Sequence, residues 1–321
     1  MKERNLRVVF MGTPEFAVAP LDKIIQAGYE VVAVVTVPDK PAGRGQRISE
    51  SAVKKYALKN NLNLLQPEKL KDNNFIEELT KLKPEVMVVV AFRMLPKEVW
   101  SLPSLGTFNL HASLLPQYRG ASPINFSIIN GDNETGVTTF FIDEKIDTGE
   151  ILLQERIAIN ENENAGELHD RLQELGSHLV VKTLQGLEDG TLKSEKQELK
   201  KDIEYKYAPR IFKKDCIINW EDSIENIHNL IRGLSPYPVA YTHLVIDDEK
   251  FKIFKIFSGY YSRETHNYPI GKIIIEGKDI LKIAIKEGFY FPKEIQLEGK
   301  KRMNISDFIN GLIDKNNIKV Q

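Results

Sequence analysis

The residue types best suited to chemistry crowd into one stretch, Gly106-Thr-Phe-Asn-Leu-His-Ala-Ser-Leu-Leu-Pro-Gln-Tyr-Arg-Gly120. If Thr107 to His111 is extended, Asn109 and His111 project to the same face, because side chains alternate with a period of two. An amide donor beside an imidazole can hold a developing oxyanion and move a proton in one place. A second cluster, Asp143-Glu-Lys-Ile-Asp-Thr-Gly149, lies between two apolar runs. Asp147 could orient His111 or relay a proton if the fold brings the two together. On the residues alone a plainer reading stays open, with Asn109 and His111 as satisfied polar residues on a strand and Asp-Thr-Gly as a turn.

Positioning such a site requires a rigid frame, and the first two-thirds of the chain supply the pattern of one. Short β-branched runs alternate with amphipathic stretches, which predicts an α/β fold with a mostly parallel sheet covered by helices. Arg7 to Gly12 reads as a first, buried strand. Thr13 is expected to cap a helix that starts at Pro14 and stops at Gly28. Val31 to Thr36, Val86 to Phe92, Thr107 to His111, Val137 to Ile142 and Ile151 to Ile157 are the further strands. Ser51 to Lys59 and Asn74 to Lys83 are expected helices, and leucines recurring at helical spacing from Glu167 to Leu187 predict a long one. Gly12-Thr-Pro lacks the glycine fingerprint of a dinucleotide site, so this sheet is not read as binding NAD.

Composition changes after Gly190, where Lys and Glu dominate up to Tyr205 and mark a linker. A helix over Ser223 to Arg232 is expected beyond it. Alternation from Tyr241 to Tyr261 and short strands around Lys272 to Ile275, Leu281 to Lys286 and Lys293 to Gln296 suggest a small barrel. The division expected is a Rossmann-like domain over 1–189, a linker over 190–207 and a β domain over 208–321, as the length of 321 residues favours.

Bulk properties narrow the function further. No apolar run approaches the roughly 18 residues a membrane span needs, and the cytoplasm is the expected location. The net charge of −1 argues against non-specific nucleic-acid binding by a global positive field. Residues 210–321 hold 18 Lys and Arg against 15 Asp and Glu, so any RNA contact would rest on local clusters. The single cysteine, Cys216, is read as a buried thiol, and His169 and His178 as surface or packing residues of the long helix. His228, His243 and His266 have no Cys or His partner at ligand spacing, so no metal site is expected.

Asn109-Leu-His111, then Ser113-Leu-Leu-Pro116 and Arg119-Gly120, then Asp147-Thr-Gly149, together resemble the signature of the 10-formyltetrahydrofolate-dependent formyltransferases. That resemblance implies 10-formyltetrahydrofolate as cosubstrate and Asn109, His111 and Asp147 as catalytic residues. It implies a pterin loop over Val88 to Pro96, with Phe92, Arg93, Met94 and Leu95 at the donor. Ser113, Leu114, Leu115, Pro116 and Asp143 are the further donor contacts it implies. The chain departs from one common family pattern, which has Tyr-Gly where Phe92-Arg93 stand here.

Three features resemble the branch of the family that formylates methionyl-initiator tRNA. They are the opening Phe10-Met-Gly-Thr-Pro-Glu-Phe-Ala17, the loop Pro38-Asp-Lys-Pro-Ala-Gly-Arg-Gly45, and Tyr207-Ala-Pro-Arg-Ile211 with the β domain beyond. The resemblance implies an OB-like barrel there and tRNA contacts at Lys40, Arg44, Arg47, Arg210 and Lys213. Glycines at 43 and 45 would let the backbone approach RNA closely. By analogy the protein is expected to be a monomer. An amino-sugar or nucleotide N-formyltransferase is the alternative, using the same donor and triad. A formyltetrahydrofolate hydrolase and a non-catalytic RNA-binding protein are remoter rivals.

Overall fold

The computed structural model describes residues 6–42, 47–200, 202–246, 250–312 and 318–321, with the side chains of 42, 47, 246, 250 and 251 outside that description. By internal contacts the chain divides into two units. The first takes Met1–Pro123, Thr135–Ala158 and His169–Tyr207, and the second takes Ile124–Glu134, Ile159–Leu168 and Ala208–Gln321.

Val8, Val9, Phe10 and Met11 are wholly buried, which is why the first strand is an unbroken apolar run instead of an alternating one. This strand, β1 (Arg7–Gly12), sits inside a seven-stranded sheet. The others are β2 (Glu30–Val35), β3 (Leu64–Leu65), β4 (Val86–Val90), β5 (Thr107–His111), β6 (Glu134–Phe141) and β7 (Ile151–Ala158). Their spatial order is β7-β6-β5-β4-β1-β2-β3. Pairs β1–β2, β2–β3, β1–β4 and β4–β5 are parallel, while β5–β6 is antiparallel. The direction of winding therefore reverses between β1 and β4. A crevice at the carboxyl ends of the strands beside such a switch is where open α/β sheets hold ligands. Gly12 lies opposite Val90 and Val90 opposite Leu110, so the chain leaves β1, β4 and β5 along one edge of the sheet.

Helix ends follow their capping residues, with two corrections. Ser51 accepts from the Lys54 N–H and caps Ala52–Lys59, and Asp72 accepts from the N–H groups of Asn74 and Phe75 to cap Asn73–Lys81. The latter helix stops two residues before the expected Lys83, which takes a left-handed φ of 47° ahead of Pro84. Thr13 is not a cap. Pro14 is extended, a single 3-10 turn covers Glu15–Ala17, and the α-helix begins only at Val18. Pro20 has no N–H to close an i→i−4 bond onto Phe16, so an α-helix cannot run unbroken from Pro14. The 3-10 turn packs closely on the strand end, where a Cβ at Gly12 would lie 2.7 Å from the Cβ of Ala17. A short hairpin, Lys40–Ala42 with Arg47–Ser49, was not legible in the sequence. Its root is held by Asp39, whose carboxylate lies 2.5 Å from Lys54 Nζ and accepts from Gln66 at 3.2 Å.

In the second unit Ser223 caps the helix Ile224–Gly233. The stretch Tyr241 to Tyr261 is a hairpin of β8 (Ala240–Ile246) and β9 (Lys250–Arg263). With β10 (Ile273–Glu276), β11 (Ile280–Ile285), β12 (Gly288–Leu297) and β13 (Ile318–Val320) these strands run in the order β10-β11-β12-β9-β8-β13. A bridge between Lys272 and Lys319 brings the last strand back to the first, which makes a nearly closed antiparallel barrel of the OB-like kind. Trp220, Ile224, Phe254, Ile283, Tyr290 and Ile309 fill it. Cys216 is buried, and that burial pushes its thiol pKa up and keeps it protonated. No helix among the described residues is long and apolar enough to cross a membrane.

His228 is 7% exposed, its Nδ1 has no hydrogen-bond partner among the described residues, and its ring meets Tyr261 edge-on at 5.2 Å. Burial, helped by Arg232, lowers its pKa to about 4. Between about pH 4 and the unfolded value near 6.5 the unfolded chain therefore binds more protons, so stability falls as the pH is lowered through that window. Unfolding midpoints measured from pH 7 to pH 4.5 should drop, and His228→Gln should flatten the decline.

Candidate active site

His111 ends β5 with its ring buried, and the neighbours of its two nitrogens define the site. Nε2 lies 2.8 Å from the backbone carbonyl of Tyr118. A carbonyl only accepts, so the neutral ring carries its proton on Nε2 and leaves Nδ1 to exchange one. Nδ1 faces Asp147 Oδ2 at 3.9 Å, with the two side chains only 7% and 15% exposed. Phe140 closes one side of the imidazole edge-on at 6.4 Å.

Asp147 is held by geometry that the sequence does not announce. It takes a left-handed φ of 55°, and Tyr118 takes one of 59°. Such conformations cost of order 1–3 kcal/mol and persist only where neighbours impose them. For Asp147 the Gly120 N–H donates to Oδ2 at 2.9 Å, and Gln197 donates to its backbone carbonyl at 3.0 Å. The glycine of Asp-Thr-Gly is fixed by a close crossing, since a Cβ at Gly149 would lie 1.6 Å from the Phe141 carbonyl oxygen. The plain turn reading of this triplet thus describes its backbone, while its aspartate turns inward to the histidine.

Asn109 stands two residues before His111 on the same strand face, half-buried, opposite Val89 on one side and Phe140 on the other. Among the described residues its side-chain amide has no hydrogen-bond partner, so it remains available to a ligand. Ser113 to Pro116 follow the strand, and Thr138 organises them. Its hydroxyl donates to the Ser113 carbonyl at 2.6 Å and accepts from the Leu115 N–H at 3.2 Å and Gln154 Nε2 at 2.9 Å. Gln154 also donates to the Leu115 carbonyl at 2.8 Å. The arrangement sets an amide that no described residue bonds on the same strand face as an imidazole that meets a carboxylate, which suits acyl transfer through an oxyanion.

Comparison with known proteins agrees with that chemistry. The family model described as formyl transferase matches residues 6–184, and the formyl transferase C-terminal domain matches residues 210–312. The chain belongs to the formyl transferase family. It is 55% identical to the methionyl-tRNA formyltransferase of Flavobacterium johnsoniae over 98% of this chain and 99% of the relative. It is 50% identical to the enzyme of the same name from Parabacteroides distasonis over 97% of each. Among solved structures, the N-formyltransferase of Helicobacter canadensis, in complex with folinic acid and dTDP-3-aminofucose, superposes with a TM-score of 0.66. It covers 93% of this chain and 100% of that one at 24% identity, which carries the fold alone.

Within this formyl transferase the other expected site residues fall into distinct settings. Phe92, Arg93, Met94 and Leu95 form an irregular loop at the carboxyl end of β4, after Ala91 with its φ of 46°. Among the described residues none of their backbone N–H groups has a hydrogen-bond partner. Arg93 is turned to its own chain: its guanidinium donates to the carbonyls of Pro67 at 2.9 Å and Glu68 at 3.0 Å. Burial lowers its pKa. Met94 is exposed and Leu95 buried. Asp143 accepts from the Lys145 N–H at 3.0 Å and the Thr148 hydroxyl at 2.8 Å, which closes the loop before Asp147.

The basic candidates are spread over both units. Lys40 is exposed on the short hairpin, Arg44 lies outside the described residues, and the side chain of Arg47 is likewise outside the description. In the second unit Arg210 lies over the Phe212 ring at 5.6 Å and Lys213 over Tyr241 at 5.9 Å, both basic residues being exposed. Among the described residues no group of three or more His, Cys, Asp and Glu could hold a metal ion. Sequence reasoning missed Tyr118, Thr138, Gln154 and Gln197, which shape the site through contacts between distant segments.

Proposed function

We propose that the protein transfers a formyl group from 10-formyltetrahydrofolate to the free amino group of methionyl-initiator tRNA. The observation that carries the chemistry is the His111 imidazole, anchored through Nε2 to Tyr118 and facing Asp147 through Nδ1, on the strand face that also carries the Asn109 amide, which no described residue bonds. The acceptor rests on relatives named methionyl-tRNA formyltransferase that match nearly end to end. An amino-sugar acceptor draws only on structures of lower identity.

In this reading the Asn109 amide donates to the formyl oxygen as the amine attacks the formyl carbon. Once its Nδ1 has taken the proton lost by the amine, His111 carries positive charge on the same face and offsets the negative charge that develops on that oxygen. One N–C bond forms between the amine and the carbon, and the carbon–N10 bond then breaks with its electron pair going to N10. His111 and Asp147 together carry the proton lost by the amine towards N10, so atoms and charge balance. The unpaired N–H groups of Phe92 to Leu95 fit the polar edge of a pterin ring, with Ser113 to Pro116 and Asp143 flanking the donor. Arg93 would contribute through its backbone, since its side chain is engaged elsewhere.

Lys40, Arg44 and Arg47 would meet the acceptor arm of the tRNA, with Arg210 and Lys213 following its backbone. Arg44→Ala is expected to lower kcat/KM for the charged tRNA about tenfold or more, the worth of a charge-assisted contact, and to leave the KM for the donor unchanged. Arg263→Ala serves as control, because Arg263 is already paired with Glu225 and Glu287. Unchanged tRNA kinetics in Arg44→Ala would remove the loop from the interface. The function itself is tested by following the donor: it should be consumed mole for mole with formyl-methionine when charged tRNA is present, and release no formate without it.

A further inference from the structure

We propose that Gln197 is a positioning residue for formyl transfer, acting through Asp147; the inference rests on the role given above to that carboxylate. Gln197 lies in the polar segment after the helix Ala165–Glu188, where its neighbours Glu195, Lys196 and Glu198 are exposed. Its own side chain turns inward and uses its full bonding capacity. Nε2 donates to the carbonyls of Asp147 at 3.0 Å and Gly149 at 2.7 Å. Oε1 accepts from Arg119 Nε at 3.2 Å and Nη2 at 2.7 Å.

These bonds close a ring. Arg119 is joined by the chain to Gly120, whose N–H holds Asp147 Oδ2 at 2.9 Å. Asp147 is joined through its own carbonyl back to Gln197. One side chain therefore fixes both ends of the strained residue whose carboxylate faces His111. The segment carrying Gln197 is itself fixed by a two-way backbone bridge, Ile151 N–H to Glu195 carbonyl at 2.7 Å and the reverse at 2.8 Å. Without Gln197 the left-handed conformation of Asp147 loses a partner that imposes it, and the carboxylate loses its aim at Nδ1. Misplacement of a group by about 1 Å can cost on the order of 10²-fold in rate.

A role merely in holding the loop together predicts something different from a role through the carboxylate, and a double-mutant cycle separates them. Gln197→Met keeps the volume and removes all four hydrogen bonds. Its kcat should fall about 10–100-fold while KM for donor and acceptor stays within about threefold. In an Asp147→Ala background the same substitution should change kcat by less than about threefold. Gln197→Glu, which keeps the Arg119 partner and loses both donors, should reproduce the fall if the methionine variant folds poorly. Unaltered kcat in either folded variant, or an equal fall in both backgrounds, would overturn the inference. Should the wild type formylate a different amine, the cycle is run on that amine, so a wrong acceptor and a wrong role for Gln197 are told apart.

Discussion

Replacing His111 by Gln should lower kcat about 10²–10⁴-fold, the usual worth of a positioned acid–base group. The choice of Gln matters. An amide can still donate towards the Tyr118 carbonyl that Nε2 meets at 2.8 Å, so the buried acceptor need not be orphaned. Proton exchange at Nδ1, the position facing Asp147, is lost. The thermal midpoint should therefore shift little while turnover collapses, and binding of a non-reactive folate should be retained. A variant with near-normal kcat would mean that the imidazole is a satisfied core group after all, the plainer reading that the strand pattern left open.

Asn109→Ala carries the second large effect. Removing one oxyanion donor typically costs about 10²–10³ in rate. Because no described residue bonds the amide, its loss leaves no protein group unpaired, and the KM for the donor should stay within a few-fold. Asn109→Asp should be at least as damaging, since a carboxylate would face the oxyanion with like charge. Steady-state kinetics on both variants, with calorimetry of donor binding, checks this. Collapsed donor affinity with kcat preserved would give Asn109 a binding role in place of an oxyanion role.

How much of this the sequence carried can be judged residue by residue. The parallel sheet was legible because runs such as Val86 to Val90 are buried on both faces and need no alternation. The helix starts expected at Ser51 and Ser223 held to within a residue, each serine serving as the cap, because capping is a local contest between a side-chain oxygen and nearby N–H groups. Thr13 failed for a local reason: Pro20, within the expected helix, has no N–H to donate back to Phe16. Asn109 and His111 could be paired because two positions on one strand share a face. Asp147 could not be added by geometry, since its approach depends on the antiparallel pairing of β5 with β6 and on a left-handed turn. Gln197 and Thr138 gave no signal at all. Each is an ordinary polar residue whose meaning comes from carbonyls and N–H groups far away in the chain.

Choice of acceptor and action of the triad meet in a single turnover, and one assay addresses both. Purified protein is given 10-formyltetrahydrofolate with methionyl-initiator tRNA, glycinamide ribonucleotide and an amino-sugar nucleotide in competition, and each amine is analysed for the formyl group. The expected result is formyl-methionine on the tRNA alone, abolished by His111→Gln and by Asn109→Ala. Formyl transfer to a small amine, or free formate with every amine unmodified, would contradict it.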